Sequence, residues 1–210
     1  MILSENDKIE LIKCSAGLIS SEELNHLVTT KVDFIEFQEL LESVYNSGNQ
    51  SLFEAVLWCM PNRLVSSELE LLYSKFIVLR NHREHENIAR QFQLEFNNNI
   101  KNVKVLLNAI NELPDYLSPD DFKYSYIRKL IYAIGAQTEP NNIEALEKLV
   151  NETNDEQVKE LALHQIKKRK ELGRWEAVKN HQKSISIHQI KDKYFQEGAK
   201  ILLPLFFYQE

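Results

Sequence analysis

The stretch NHREHENIAR at 81–90 sets His82 and His85 three residues apart with Glu84 and Glu86 beside them. Imidazoles flanked by carboxylates are the raw material of a zinc site. A zinc protease helix places its histidines four apart with a glutamate directly after the first, so that two ligands share one face and the carboxylate reaches the metal-bound water. Here the spacing is one residue short, and Glu86 follows the second histidine. His85 also falls in register with Ile88, Ala89, Phe92 and Phe96, which marks it as a packed, hydrogen-bonded histidine at a helix start. Asn81, with Glu84 three residues later, forms a capping arrangement for that start. No third ligand stands nearby in the sequence, so the segment is expected to hold no metal.

Other reactive groups fare similarly. The chain has no GxSxG elbow and no glycine loop of the kind that cradles phosphate. Cys14 and Cys59 lack CxxC spacing and read as buried free thiols. The acidic pairs Glu22–Glu23 and Asp120–Asp121 fall at expected helix starts, where the positive end of the helix dipole accounts for them. The basic run KKRKELGR at 167–174 falls at an expected helix end, where cations satisfy exposed carbonyls. The sequence therefore predicts no catalytic residue, no cofactor and no metal, and disfavours an enzyme.

The elements that position these residues are helices. With 43% hydrophobic and 27% charged residues the chain has the balance of a folded globular protein, and its longest apolar run, ILLPLFFY at 201–208, is too short to cross a bilayer. The first residues show no basic-then-apolar leader, so a cytoplasmic location is expected, with no membrane partner. Apolar residues recur at three and four, as in Phe34, Phe37, Leu41, Val44 and Tyr45, between Asp33 as a start and Gly48 as a stop. Ser67 is expected to cap the next such segment. Ser118, Pro119 and Gly135 are expected to mark the start and exit of the one after 118. Helices are placed at 5–16, 21–30, 34–46, 50–60, 67–80, 83–96, 100–113, 119–134, 141–152 and 155–171. From 34 onward they fall into pairs whose first members start about 33, 33 and 41 residues apart, the mark of stacked helical hairpins.

The segment NNIEALEKLVNETNDEQVKELALHQIKKR resembles a HEAT repeat: a first apolar helix, a turn ending in Asp155, then Val158, Lys159, Ala162 and Ile166 in the order of that family's second helix. The resemblance covers 34–171 and implies an all-α, right-handed α-α superhelix of stacked hairpins, with 1–33 as a front cap and 172–210 as a back cap of a single domain. It also implies that Asp155 caps its helix and pairs with a base in a neighbouring repeat. EAVLWCMPNRLVSSELELLYSKFIVLRNHREHENIAR is similar to the front units of small bacterial HEAT-repeat proteins, some of them immunity proteins encoded beside secreted toxins.

Charge and aromatic placement then suggest a partner. Residues 1–50 carry nine acids against three bases, a field that repels phosphates and attracts basic proteins, so nucleic acid is disfavoured and a basic toxin domain is favoured. The inner wall of a hairpin array is made mainly by second helices. On it the candidate partner-binding residues are Trp58, His82, Glu84, Glu86, Asp120, Asp121, Tyr124, Tyr126 and Arg128. Trp58 and Tyr126 equally suit the core, and Tyr124, two residues from Phe122, is expected off the buried stripe. Some HEAT-like proteins are DNA glycosylases with a strongly basic groove, whereas the charges here are mixed. An intracellular scaffold is the third reading.

Overall fold

A computed structural model describes residues 3–28, 32–62 and 64–173. Among these the regular structure is helical, with one isolated bridge between Val32 and Asn62. The helices are α1 (Glu5–Ser15), α2 (Ser21–Leu27), α3 (Phe34–Ser47), α4 (Gln50–Cys59), α5 (Ser66–Phe76), α6 (His85–Leu94), α7 (Ile100–Asn111), α8 (Asp120–Ala136) and α9 (Asn141–Glu152), with a 3-10 turn at Asp115–Leu117. A further helix, α10, runs over 156–173. The protein is thus all-α. No described helix is long and apolar enough to cross a membrane. The chain divides into two units, Met1–Gln165 and Ile166–Glu210. The expected back cap beyond residue 173 lies outside the described residues.

Local chemistry sets most boundaries. Ser4 with Asp7, Ser20 with Glu23 and Asp33 with Glu36 each form a reciprocal capping box, in which the cap side chain accepts a backbone N–H and the later carboxylate accepts the cap's own N–H. The bonds from Ser20 hold the Glu23 carboxyl below the usual carboxylate range. Gly48 ends α3 at φ 72°, the left-handed region a glycine enters freely. Three expected markers move. α5 begins at Ser66 with Val65 as its cap residue, whose N–H donates to Glu68 Oε2 at 3.0 Å, so Ser67 is already inside the helix. Ser118 turns back to donate to the Pro114 carbonyl at 3.1 Å, which leaves Pro119 as the cap residue of α8. Gly135 is not the exit of α8, which runs on to Ala136. It is instead a point of close approach, where an added Cβ would overlap the Gln165 side chain.

Packing joins neighbours in order and then across pairs: α3 on α4, α5 on α6, α7 on α8, with α1 on α4 and α6 on α8. α8 is the centre, in contact with α6, α7, α9 and the 3-10 turn. Its residues Ile127, Leu130, Ile131, Ala133 and Ile134 are all buried, and α6 supplies Ile88, Ala89 and Phe92. Burying each of the isoleucine, leucine and phenylalanine side chains contributes on the order of 1.5–3 kcal/mol, and each alanine methyl less.

Candidate functional site

Two regions bear on function. The first is the corner between α5 and α6. The last carbonyls of a helix have no partner within it. Here His82 Nε2 donates to the Phe76 carbonyl and His85 Nε2 to the Leu79 carbonyl, each at 2.7 Å. The other ring nitrogens accept: Glu84 N–H donates to His82 Nδ1 at 3.0 Å and the Tyr116 hydroxyl to His85 Nδ1 at 3.0 Å. The two rings stack at 3.9 Å between centroids, 5° from parallel. Glu84 Oε2 accepts from Trp58 Nε1 at 2.7 Å and from Asn87 Nδ2 at 2.9 Å, so α4 joins the same network.

This arrangement fixes both histidines as neutral rings. Burial pushes His82 below the ordinary histidine value, and burial together with its neighbour His82 takes His85 down to about 3. Burial also raises the Tyr116 and Tyr126 hydroxyls. The corner therefore works as a lock on the end of α5 and the start of α6. Asn81 does not cap α6, whose cap residue is Glu84. Asn81 N–H instead meets the Tyr45 hydroxyl at 3.3 Å. Among the described residues no group of three or more His, Cys, Asp or Glu side chains is placed to hold a metal.

The expected partner-binding set is accordingly divided. His82, Glu84 and Tyr126 are 2%, 6% and 0% exposed, so they offer a partner no surface; the apolar environment and the hydrogen bonds that made them look notable are those of a core. Trp58 is half-buried, its ring against Tyr73 and its N–H on Glu84. Glu86 pairs with Lys129 at 2.9 Å. Asp120, Asp121 and Arg128 are exposed. Phe122 is exposed at 56%, so it does not define a buried stripe, and Tyr124 is half-buried with its hydroxyl donating to Asp155 Oδ2 at 3.2 Å.

Asp155 is the hinge to the second region. Its Oδ1 accepts from the N–H groups of Gln157 and Val158 at the start of α10, and its Oδ2 accepts from Lys123 Nζ of α8 at 2.8 Å. The Lys123 bond, followed by these others, holds the Asp155 carboxyl below its usual range. Beside this pair lies an open groove of about 810 Å³, bounded by α7 and α9. Val103, Ile127, Ala145, Leu149 and Val158 supply its buried apolar lining. Lys104, Asn108, Asn111, Glu144 and Lys148 stand exposed along it, and Ile100, 60% exposed, lies at one end. Charges of both signs line the groove, and two pairs meet there: Lys123 with Asp155 and Lys148 with Glu152 at 3.8 Å.

These lining residues were not among the sequence candidates, because the first helices α7 and α9 form the sides where second helices were expected. No local signal marked them: Leu106 is buried and Leu107 lines the groove, yet adjacent apolar pairs such as Ile88–Ala89 and Leu130–Ile131 are buried together elsewhere. Comparison of the chain with family models, with curated proteins and with solved structures finds no match.

Proposed function

We propose that the protein is a non-enzymatic binding module, a HEAT-like right-handed superhelix that acts in the cytoplasm as an immunity protein and neutralises a cognate bacterial toxin by masking its surface. The observation that carries this reading is the groove between α7 and α9: concave, apolar in its depth and polar at its edges, with charges of both signs along it. Such a surface suits a helix or loop of another protein, whose apolar side chains would enter and whose polar groups would meet the rim. Asp155 supports the repeat reading, since it caps α10 and reaches back to Lys123 as the HEAT resemblance implies.

The acidic front supplies the attraction. Glu5, Glu22, Asp33 and Glu39 are exposed there, and a basic domain approaching them would be steered before contact. In this mechanism charge sets the encounter rate, the groove seats the contact, and the toxin's substrate is excluded by bulk. The test is co-expression with the product of the adjacent open reading frame, followed by pull-down and growth rescue. A complex and rescue are expected, both lost in Ile100→Asp and Lys104→Glu with helicity unchanged. No complex, or a complex indifferent to both substitutions, would end the proposal.

A further inference from the structure

Cys14 and Cys59 are far apart in the sequence, yet the fold brings them together. Cys14 lies near the end of α1, Cys59 is the last residue of α4, and these two helices pack on each other. The Cys14 thiol is a close enough neighbour of Cys59 to act on its ionisation. Next to Cys14, Ser15 Oγ donates to Glu54 Oε1 of α4 at 3.2 Å, a second tie between the same helices. Both thiols are free and half-buried, which leaves them open to a small reagent. A disulfide needs its sulfurs about 2.05 Å apart and its Cα atoms about 4.4–6.8 Å apart, a geometry that has to be reached from neighbouring thiols on two packed helices by side-chain rotation and a small helix shift.

We propose that Cys14 and Cys59 form a dithiol–disulfide site that is oxidised by exchange with a low-molecular-weight disulfide, so that α1 becomes covalently tied to α4. In the first step the Cys14 thiolate attacks one sulfur of the reagent, the reagent's S–S bond breaks, and a thiolate leaves that takes up the proton Cys14 released. In the second, Cys59 Sγ attacks the Cys14 sulfur of the mixed disulfide and expels the other reagent thiolate, which takes the Cys59 proton. Two protein thiols are oxidised to one disulfide while one reagent disulfide is reduced to two thiols.

The environment orders these steps. Burial, with the Cys14 thiol and the Glu54 carboxylate adding to it, pushes the Cys59 thiol up to about 12. A thiol held protonated is a poor first nucleophile, so Cys14 opens the reaction and Cys59 closes it. Closure is consequently base-promoted, its rate rising about tenfold per pH unit between about pH 7 and 9.

The experiment uses the reduced full chain equilibrated with oxidised glutathione, quenched with a maleimide in denaturant, and read by intact mass and peptide mapping. The expected product has lost about 2 Da, carries no maleimide and yields a peptide joining Cys14 to Cys59, with a thermal midpoint about 5–10 °C higher that returns on reduction. Cys59→Ser should stop at a glutathione adduct on Cys14, and Cys14→Ser should react at least about tenfold more slowly. Two maleimide labels at every glutathione ratio, a stable adduct on both cysteines of the unmutated chain, or linkage between chains would overturn the site. A closure rate flat with pH would overturn the order of attack.

Discussion

In the corner between α5 and α6 all four ring nitrogens of His82 and His85 have a protein partner, whereas along the α7–α9 groove Lys104, Asn108 and Asn111 stand exposed. Both regions are rich in polar side chains, but they use them in opposite directions. The corner turns its polar groups inward, onto the Phe76 and Leu79 carbonyls at and just after the end of α5, and gains rigidity. The groove keeps its polar groups at the rim of an apolar depression, where they remain available to another molecule. Residue types with chemical reputations are therefore a poor guide here. The histidines hold the fold, while the open surface is made of lysine, glutamate, asparagine and aliphatic residues.

The sharpest way to break this contrast is His85→Ala. It removes a fully buried ring, opens a cavity and strands both the Leu79 carbonyl and the Tyr116 hydroxyl. A loss of about 3–4 kcal/mol in urea unfolding is expected, and a loss under about 1 kcal/mol would show that the corner is not a lock.

Acid titration comes next. The folded values of His82 and His85 lie below the unfolded value of about 6.5, so below that pH the unfolded chain takes up protons that the folded chain refuses. Stability is complete above about pH 6.5 and falls as acid is added, by up to about 1.4 kcal/mol per pH unit for each ring, until the folded rings titrate. Glu42 and Asp155, both held below the carboxylate range, add the same sign at lower pH. Unfolding midpoints followed from pH 7 to 5 should fall in the native chain and stay level in the His82→Gln, His85→Gln double variant. A level profile in the native chain would contradict the neutral pair.

At the edge of the groove, Asp155→Ala removes both a helix cap and the Lys123 pair, for an expected loss of about 1–2 kcal/mol. Asp155→Asn keeps the cap and should cost about half as much, read from the same urea curves. Tyr126 sharpens the comparison in the other direction: its buried hydroxyl has no hydrogen-bond partner among the described residues, so Tyr126→Phe should leave stability unchanged or raise it by up to about 1 kcal/mol. Ile100→Asp, at an exposed position, should stay within about 0.5 kcal/mol of the parent in thermal unfolding, and a larger loss would make the groove part of the core.

What was legible in the sequence was mostly short-range. Asp33 and Gly48 announce a helix start and stop because each acts on backbone atoms within three residues, and the structure has both. Ser67 and Ser118 misplace their helix starts by a residue or two because neighbouring groups, the Val65 backbone and Pro119, take the cap position. The histidine corner needed tertiary knowledge: spacing argues against zinc, but nothing in NHREHENIAR says that the rings reach back to the carbonyls of Phe76 and Leu79. Phe122 misled for a related reason, since an aromatic residue in a first turn is buried only if another element covers it, and none does so enough to bring it below 56% exposure. Which helices would flank an open groove depends on how successive pairs lean, a long-range property that leaves no trace in residues three or four apart.

Because α8 touches α6, α7, α9 and the 3-10 turn, its amides can meet solvent only when much of the middle of the chain separates together. Its backbone should take up deuterium last. α2, seven residues long with Leu24 as its one buried side chain, should take it up early and offer proteases their first foothold.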